Sequence, residues 1–193
     1  MLNQLLEQKI ILASGSPRRQ FLLKDLGLNI EIKTKEVDEI YPDHLKGKDI
    51  VLYLAELKAS VFTEDEIGED AILIAADTIV CLDDEVLTKP ANYEDAFKII
   101  SSLSGKKHEV ISGVCLRSAT KKISFYASTE VYFKNLSEEE IHHYIKNYKP
   151  YDKAGAYGIQ EWIGYIGIEK ISGSFYNVMG MPIQRLYEEL LKF

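Results

Sequence analysis

Apolar and polar positions change period several times along the chain, and each change marks an element. The run "QKIILAS", Gln8–Ser14, is apolar through its middle and predicts a buried strand. After a Ser-Gly-Ser turn, "PRRQFLLKDLGL" takes helical spacing, with Pro17 at the first helical position and Gly27 as its stop. "NIEIKTKEV" alternates and predicts a second strand, "DEIYPDHLKGKD" a polar loop, and "IVLYLAELKASVF" a helix. "AILIAADTIVCLDDEVLTKP" predicts a buried strand that turns back at Asp83 and Asp84. Asn92 as cap and Gly105 as stop bound the helix "NYEDAFKIISSLSG". Two β-rich runs, "HEVISGVCLRS" and "ISFYASTEVYFKNL", join at Ala119–Lys121, and Ser137 with Glu140 forms a capping box opening "EEEIHHYIKNY". The glycine-rich "AGAYGIQEWIGYIGIEKISGSFYNV" has strand character and leads to a last helix, "PIQRLYEELLKF". Helices alternating with hairpins predict an α/β fold: a mixed sheet flanked by helices, not a purely parallel one.

No repeat, low-complexity tract or long linker breaks this pattern, so residues 1–193 form a single domain or two small lobes around a cleft. The chain is 46% hydrophobic and 27% charged, as suits a globular core with a solvated surface. No apolar stretch approaches the roughly 20 residues of a membrane span, and the N-terminus lacks the basic start and cleavage site of a signal peptide. The expectation is a cytoplasmic protein with no membrane partner. Cys81 and Cys115 each lie in an apolar run and are expected as buried thiols, not as a disulfide. A formal net charge of −7 argues against a nucleic-acid partner, which needs a broad basic face. A few local cations can still hold a small anion.

The candidate chemistry starts at "SGSPRR". Arg18 and Arg19 stand in the first turn of a helix, the positive end of its dipole, where anions are favoured and cations are not. Ser14, Gly15 and Ser16 supply hydroxyls, a tight turn and free N–H groups, and guanidinium forks suit phosphate oxygens. The competing reading is a corner with two solvated arginines. The stretch lacks the spacing of a Walker A loop. Asp77 follows six residues without a polar side chain, "AILIAA", and a buried carboxylate needs a partner or a metal. Otherwise it begins a turn with Thr78. Lys89, ahead of Pro90, closes the hairpin that starts at Asp77. Glu36, Asp38 and Glu39 form a solvated acidic loop or a second source of metal ligands, and Lys58 on an apolar helix face reads most simply as a snorkelling lysine. Asp152, Lys153 and Gln160 stand out in a Gly/Ala/Tyr segment, where the Gln160 amide could pair with a base edge or lie on the surface. His142 and His143 point to different helix faces; His44 and His108 read as solvated or structural.

The blocks "LASGSPRRQFLL", "AADTIVCLDDEVLTKP", "LSGKKHEVISGV" and "YDKAGAYGIQ…ISGSFYNVMGMP" resemble, in order, those of the Maf family of nucleotide pyrophosphatases, from about residue 9 onward. The resemblance implies cleavage of a nucleoside triphosphate between its α and β phosphates, giving the monophosphate and pyrophosphate. It implies a divalent cation, Mg²⁺ or Mn²⁺, a fold related to the inosine triphosphate pyrophosphatases, and a homodimer. By the same resemblance Asp77 activates water, Glu39, Lys58 and Lys89 are its charged helpers, and Arg18, Thr78 and Gln160 bear on substrate choice. On this reading Ser14 and Arg19 join Arg18 around the triphosphate, and Asp77 with Glu39 takes the metal. "DKAGAYGIQ" looks like the dTTP- and UTP-directed branch, although Glu161 and Trp162 stand where the family usually continues with glycine. Two other functions stay open: a nucleotide-binding regulator of cell division with little turnover, and a pyrophosphatase for modified nucleotides.

Overall fold

Lys9–Leu12 forms strand β1, and Ile10, Ile11 and Leu12 are buried in succession, as a strand covered on both faces requires. The computed structural model describes residues 2–193, so that helix α1 (Leu2–Glu7) precedes this strand. β1 pairs in parallel with β2 (Asn29–Ile32) on one side and with the start of β3 (Ala71–Leu82) on the other, Ile11 lying opposite both Glu31 and Leu73. Helices α2 (Pro17–Asp25) and α3 (Lys48–Ser60) make the crossovers, with the short α4 (Glu64–Ile67) ahead of β3. β3 turns back through Asp83, at φ 53°, into antiparallel β4 (Glu85–Leu87). There follow α5 (Tyr93–Leu103), β5 (Lys107–Arg117), β6 (Lys122–Phe133) and α6 (Glu138–Tyr148). A 3₁₀ turn at Ala154–Ala156, α7 (Trp162–Gly167), β7 (Ile168–Ser172), α8 (Phe175–Val178) and α9 (Ile183–Lys192) complete the chain. The strands form one seven-stranded sheet in the order β2-β1-β3-β5-β6-β7 with β4 on β3, parallel at β1 and antiparallel at β3–β4 and β6–β7. The predicted mixed α/β sheet is the one observed.

Contacts divide the chain into two compact units. The first takes the residues up to Asp77 with Ser112–Ala127 and Gly180–Phe193. Its core packs Ala55, Ala59 and Phe62 against Ile11, Leu73, Ala75 and Cys115. The second unit takes Thr78–Ile111 and Ser128–Met179. Ile100, Leu103, Phe133, Tyr144, Tyr157 and Ile159 are buried there. The Asn177 amide ties that unit together, donating to the Val110 carbonyl and to Thr129 Oγ1, both at 3.0 Å.

The helix caps predicted at Asn92 and Ser137 are present. Other local features differ from the sequence pattern. β2 ends at Ile32; the Lys33 N–H still reaches the Leu12 carbonyl at 3.1 Å, while the side chains of Lys33 and Lys35 turn aside and donate through Nζ to the carbonyls of Glu66 and Val61. The glycine-rich third is mostly not strand; α7 and α8 break it, α8 being capped by Ser174. α1 and α4 also go beyond the pattern. Both cysteines are buried and unbridged. Among the described residues no helix is long and apolar enough to cross a membrane.

Candidate active site

Asp77 ends the first unit's part of β3 and is 7% exposed after six buried residues. A carboxylate in that position needs a cation, and Lys58 provides it. Its Nζ lies 2.6 Å from Asp77 Oδ1 and 2.9 Å from Glu39 Oε1, so one ammonium bridges two carboxylates. The inner face of α3, with Ile50, Val51, Leu54, Ala55 and Ala59 buried, turns Lys58 inward. Arg117 pins the end of that helix, its Nη1 donating to the carbonyls of Ala59 and Phe62 at 2.9 and 2.8 Å. Glu39 arrives from the acidic loop, where residues Lys35 to Glu39 line a polar depression. Lys58 is therefore not the snorkelling lysine of the simplest sequence reading.

The turn that opens α2 belongs to the same neighbourhood. Ser16 takes the cap position, yet no side chain caps the helix. Ser14 Oγ instead accepts from the Ser16 N–H at 3.3 Å and from Arg19 Nη1 at 3.2 Å. Arg19 Nη1 also donates to the Ala76 carbonyl, and its Nε to the Gly180 carbonyl, each at 2.8 Å. Burial pushes the Arg19 guanidinium below its ordinary value, while Asp77 pulls it back up. This arginine clamps the turn onto the residue before Asp77, an outcome that is neither a solvated side chain nor one given wholly to a ligand. Gly15 has no positive φ, and a Cβ there would sit at an ordinary 3.8 Å from Thr34. Nothing in the protein's own packing requires glycine at that position. Arg18, whose charge acts on Arg19 beside it, adds a third cation to Arg19 and Lys58 in a chain of net charge −7.

No group of three or more His, Cys, Asp or Glu side chains able to hold a metal occurs among the described residues. Mg²⁺ is commonly bound by one or two carboxylates together with substrate phosphates and water. Asp77 and Glu39 form such a pair, so the donor set fits a cation that arrives with a phosphate ligand.

The remaining candidates lie in the second unit. The β3–β4 ladder pairs Val80 with Leu87, and its register carried two residues further brings exposed Lys89 level with Thr78. Gln160 follows buried Tyr157 and Ile159, and its Oε1 is buried with no hydrogen-bond donor among the described residues. Lys153 is only 8% exposed and pairs with Asp152 at 2.8 Å and Glu161 at 3.1 Å. His108 is buried with Nε2 2.7 Å from the Tyr157 hydroxyl, and burial pushes it down to about 4. It and His142, stacked 4.7 Å from Phe97, are packing residues. Arg117 and Tyr144 carry no signal in the sequence, since each acts on partners far along the chain. Glu161 is marked there only by its departure from the resembled pattern.

A family model described as Maf-like protein matches residues 9–193. A protein of Phocaeicola vulgatus named dTTP/UTP pyrophosphatase is 54% identical over 193 residues, covering 100% of both chains. One of the same name from Flavobacterium johnsoniae is 54% identical over 187 residues, 97% of this chain and 96% of its own. Among solved structures, a HAM1 protein from Coxiella burnetii is similar at a TM-score of 0.49 and 14% identity, covering 96% of this chain and 100% of its own.

Proposed function

The chain belongs to the Maf-like family, and from that premise we propose that it hydrolyses nucleoside triphosphates, dTTP and UTP foremost, to the monophosphate and pyrophosphate. The observation that carries the reading is the Lys58 ammonium held on both Asp77 and Glu39, with the Ser14–Arg19 turn anchored beside them through Ala76. A triphosphate is the ligand such a group of cations and uncapped N–H groups suits. Lys58 holds Asp77 Oδ1 and thereby aims the other carboxylate oxygen. That oxygen orients water and takes its proton as the water attacks the α-phosphorus. The bond from phosphorus to the bridging oxygen breaks, and pyrophosphate departs with its charge balanced by Arg18, Lys58 and Lys89. A divalent cation brought by the phosphates and met by Asp77 and Glu39 would add charge neutralisation at the phosphate oxygens. Gly15, which the packing does not demand, lets phosphate approach the turn's main chain. Gln160 and Thr78 would read the pyrimidine ring, whose alternating acceptors and donor match an amide that both donates and accepts.

The test is pyrophosphate release from dTTP, UTP, CTP and GTP with Mg²⁺ or Mn²⁺, by the wild type and Asp77→Asn. The expected result is release from dTTP and UTP ahead of the others, reduced by about 10²–10⁴-fold in the variant. A wild type that releases none from any of the four defeats the proposal, as does an Asp77→Asn protein that matches it.

A further inference from the structure

Glu161 begins α7 at the cap position, φ −99° and ψ 176°, where an acidic side chain usually faces solvent or bonds the first N–H groups. It does neither. Its carboxylate turns back under the preceding turn, accepting from the Tyr144 hydroxyl through Oε2 and lying 3.1 Å from Lys153 Nζ through Oε1. Tyr144 is fully buried and Lys153 nearly so. The Tyr144 oxygen in turn accepts from the Gly158 N–H at 3.0 Å, so the donors run in one direction, Gly158 to Tyr144 to Glu161, and each polarises the next. Burial and the Glu161 carboxylate both push the Tyr144 phenol up, which keeps it protonated and donating. The Glu161 N–H meanwhile donates to the Gly158 carbonyl at 3.0 Å, closing the turn over Ile159 and Gln160. A Cβ on residue 158 would lie 2.8 Å from the Glu161 carboxyl carbon, so the carboxylate occupies the space that only glycine leaves open. Gln160 thus sits between two main-chain points fixed by one side chain. Its own Oε1 has no donor among the described residues, so the main chain is what presents the amide.

We infer that Glu161 is a positioning residue whose carboxylate, held by Tyr144 and Lys153, fixes the turn that presents Gln160 and so sets the discrimination among nucleoside triphosphates. The inference rests on the proposed function for the meaning of Gln160. It differs from a simple counter-ion role for Lys153 in requiring the Tyr144 hydroxyl as well as the charge.

The experiment compares wild type, Glu161→Gln, Tyr144→Phe and the double variant in kcat and KM for dTTP, UTP, CTP and GTP. It also follows hydrogen exchange of the Gly158–Glu161 amides. Glu161→Gln retains one acceptor where the carboxylate serves two donors, and Tyr144→Phe removes the relay while keeping the ring. Each single variant is expected to lower the ratio of kcat/KM between the best and worst nucleotide by about tenfold, the effect of one weakened hydrogen-bond network. The loss falls mainly on KM, exchange at Gly158 speeds up, and the double variant is no worse than either single one. An unchanged ratio in both single variants overturns the inference, as do effects that add in the double. If the wild type binds triphosphates without turnover, the hydrolase reading fails, and binding selectivity measured by calorimetry decides the inference: equal selectivity in Glu161→Gln overturns it. A wild type that binds none of the four overturns both.

Discussion

Replacing Lys58 with methionine separates a bridging ammonium from a snorkelling one. Methionine keeps most of the stem's volume and removes only the charge that lies 2.6 Å from Asp77 and 2.9 Å from Glu39. The Lys58 and Asp77 side chains are 16% and 9% exposed, so the variant leaves the Asp77 carboxyl group with little water to replace its partner. Breaking a fully buried pair in this way costs about 3–5 kcal/mol. Glu39 is 48% exposed and its share of the pair is already screened by water, which brings the expected loss to roughly 2–3 kcal/mol. For a chain of this length that is a Tm lower by about 4–12 °C. Asp77→Asn in the same background removes the stranded charge, so the double variant recovers most of the loss, a coupling of at least about 1 kcal/mol between the two sites. Pyrophosphate release stays lost in both, by about 10²-fold or more, because the double variant restores stability and not charge. The assay is thermal unfolding of the four proteins of the cycle by circular dichroism at pH 7, with turnover measured on the same samples. A Lys58→Met protein as stable as wild type, or a double variant whose losses simply add, refutes the bridge.

The first-turn arginines are expected to part company. Arg19→Met strips donors from the Ala76 and Gly180 carbonyls and lowers stability by about 2–3 kcal/mol, whereas the main effect of Arg18→Met is a raised KM for the triphosphate. Urea unfolding and steady-state kinetics on both variants check this, and the reverse order of effects would sink it. His108 makes the fold acid-sensitive: burial pushes it down to about 4 from an ordinary 6.5, so the unfolded chain binds the extra proton first. The stability it provides is complete above pH 6.5 and declines by about 2–3 kcal/mol as pH falls to 4.5. Urea midpoints of wild type and His108→Gln between those pH values should diverge in slope by that amount, and parallel curves would count against a buried neutral imidazole.

How much of this is legible in the sequence depends on the range over which each rule acts. The capping boxes span three residues, and the one at Ser137 and Glu140 can be read directly; the same box at Thr63 and Glu66 sits in a helix of four residues with no apolar stripe to announce it. Asp77 is legible because a carboxylate ending an apolar run is costly wherever the strand goes, but its partner is 19 residues away, and helical spacing around Lys58 is equally consistent with a stem lying on the surface. The arginines are the harder case. Arg19 answers carbonyls at Ala76 and Gly180, and Arg117 answers those at Ala59 and Phe62, main-chain acceptors on elements distant in sequence. Such acceptors come within reach only once the fold has placed those elements, so the residue that will satisfy them has no local signature. The pair "RR" draws attention in the sequence, yet one member is largely committed to holding the turn. The polarity of the first unit's site therefore depends less on the count of cations than on Lys58, which sits on carboxylates rather than carbonyls. An anion arriving there must compete with Asp77 and Glu39 for that ammonium, which is why the two acids and the lysine have to be understood as one group.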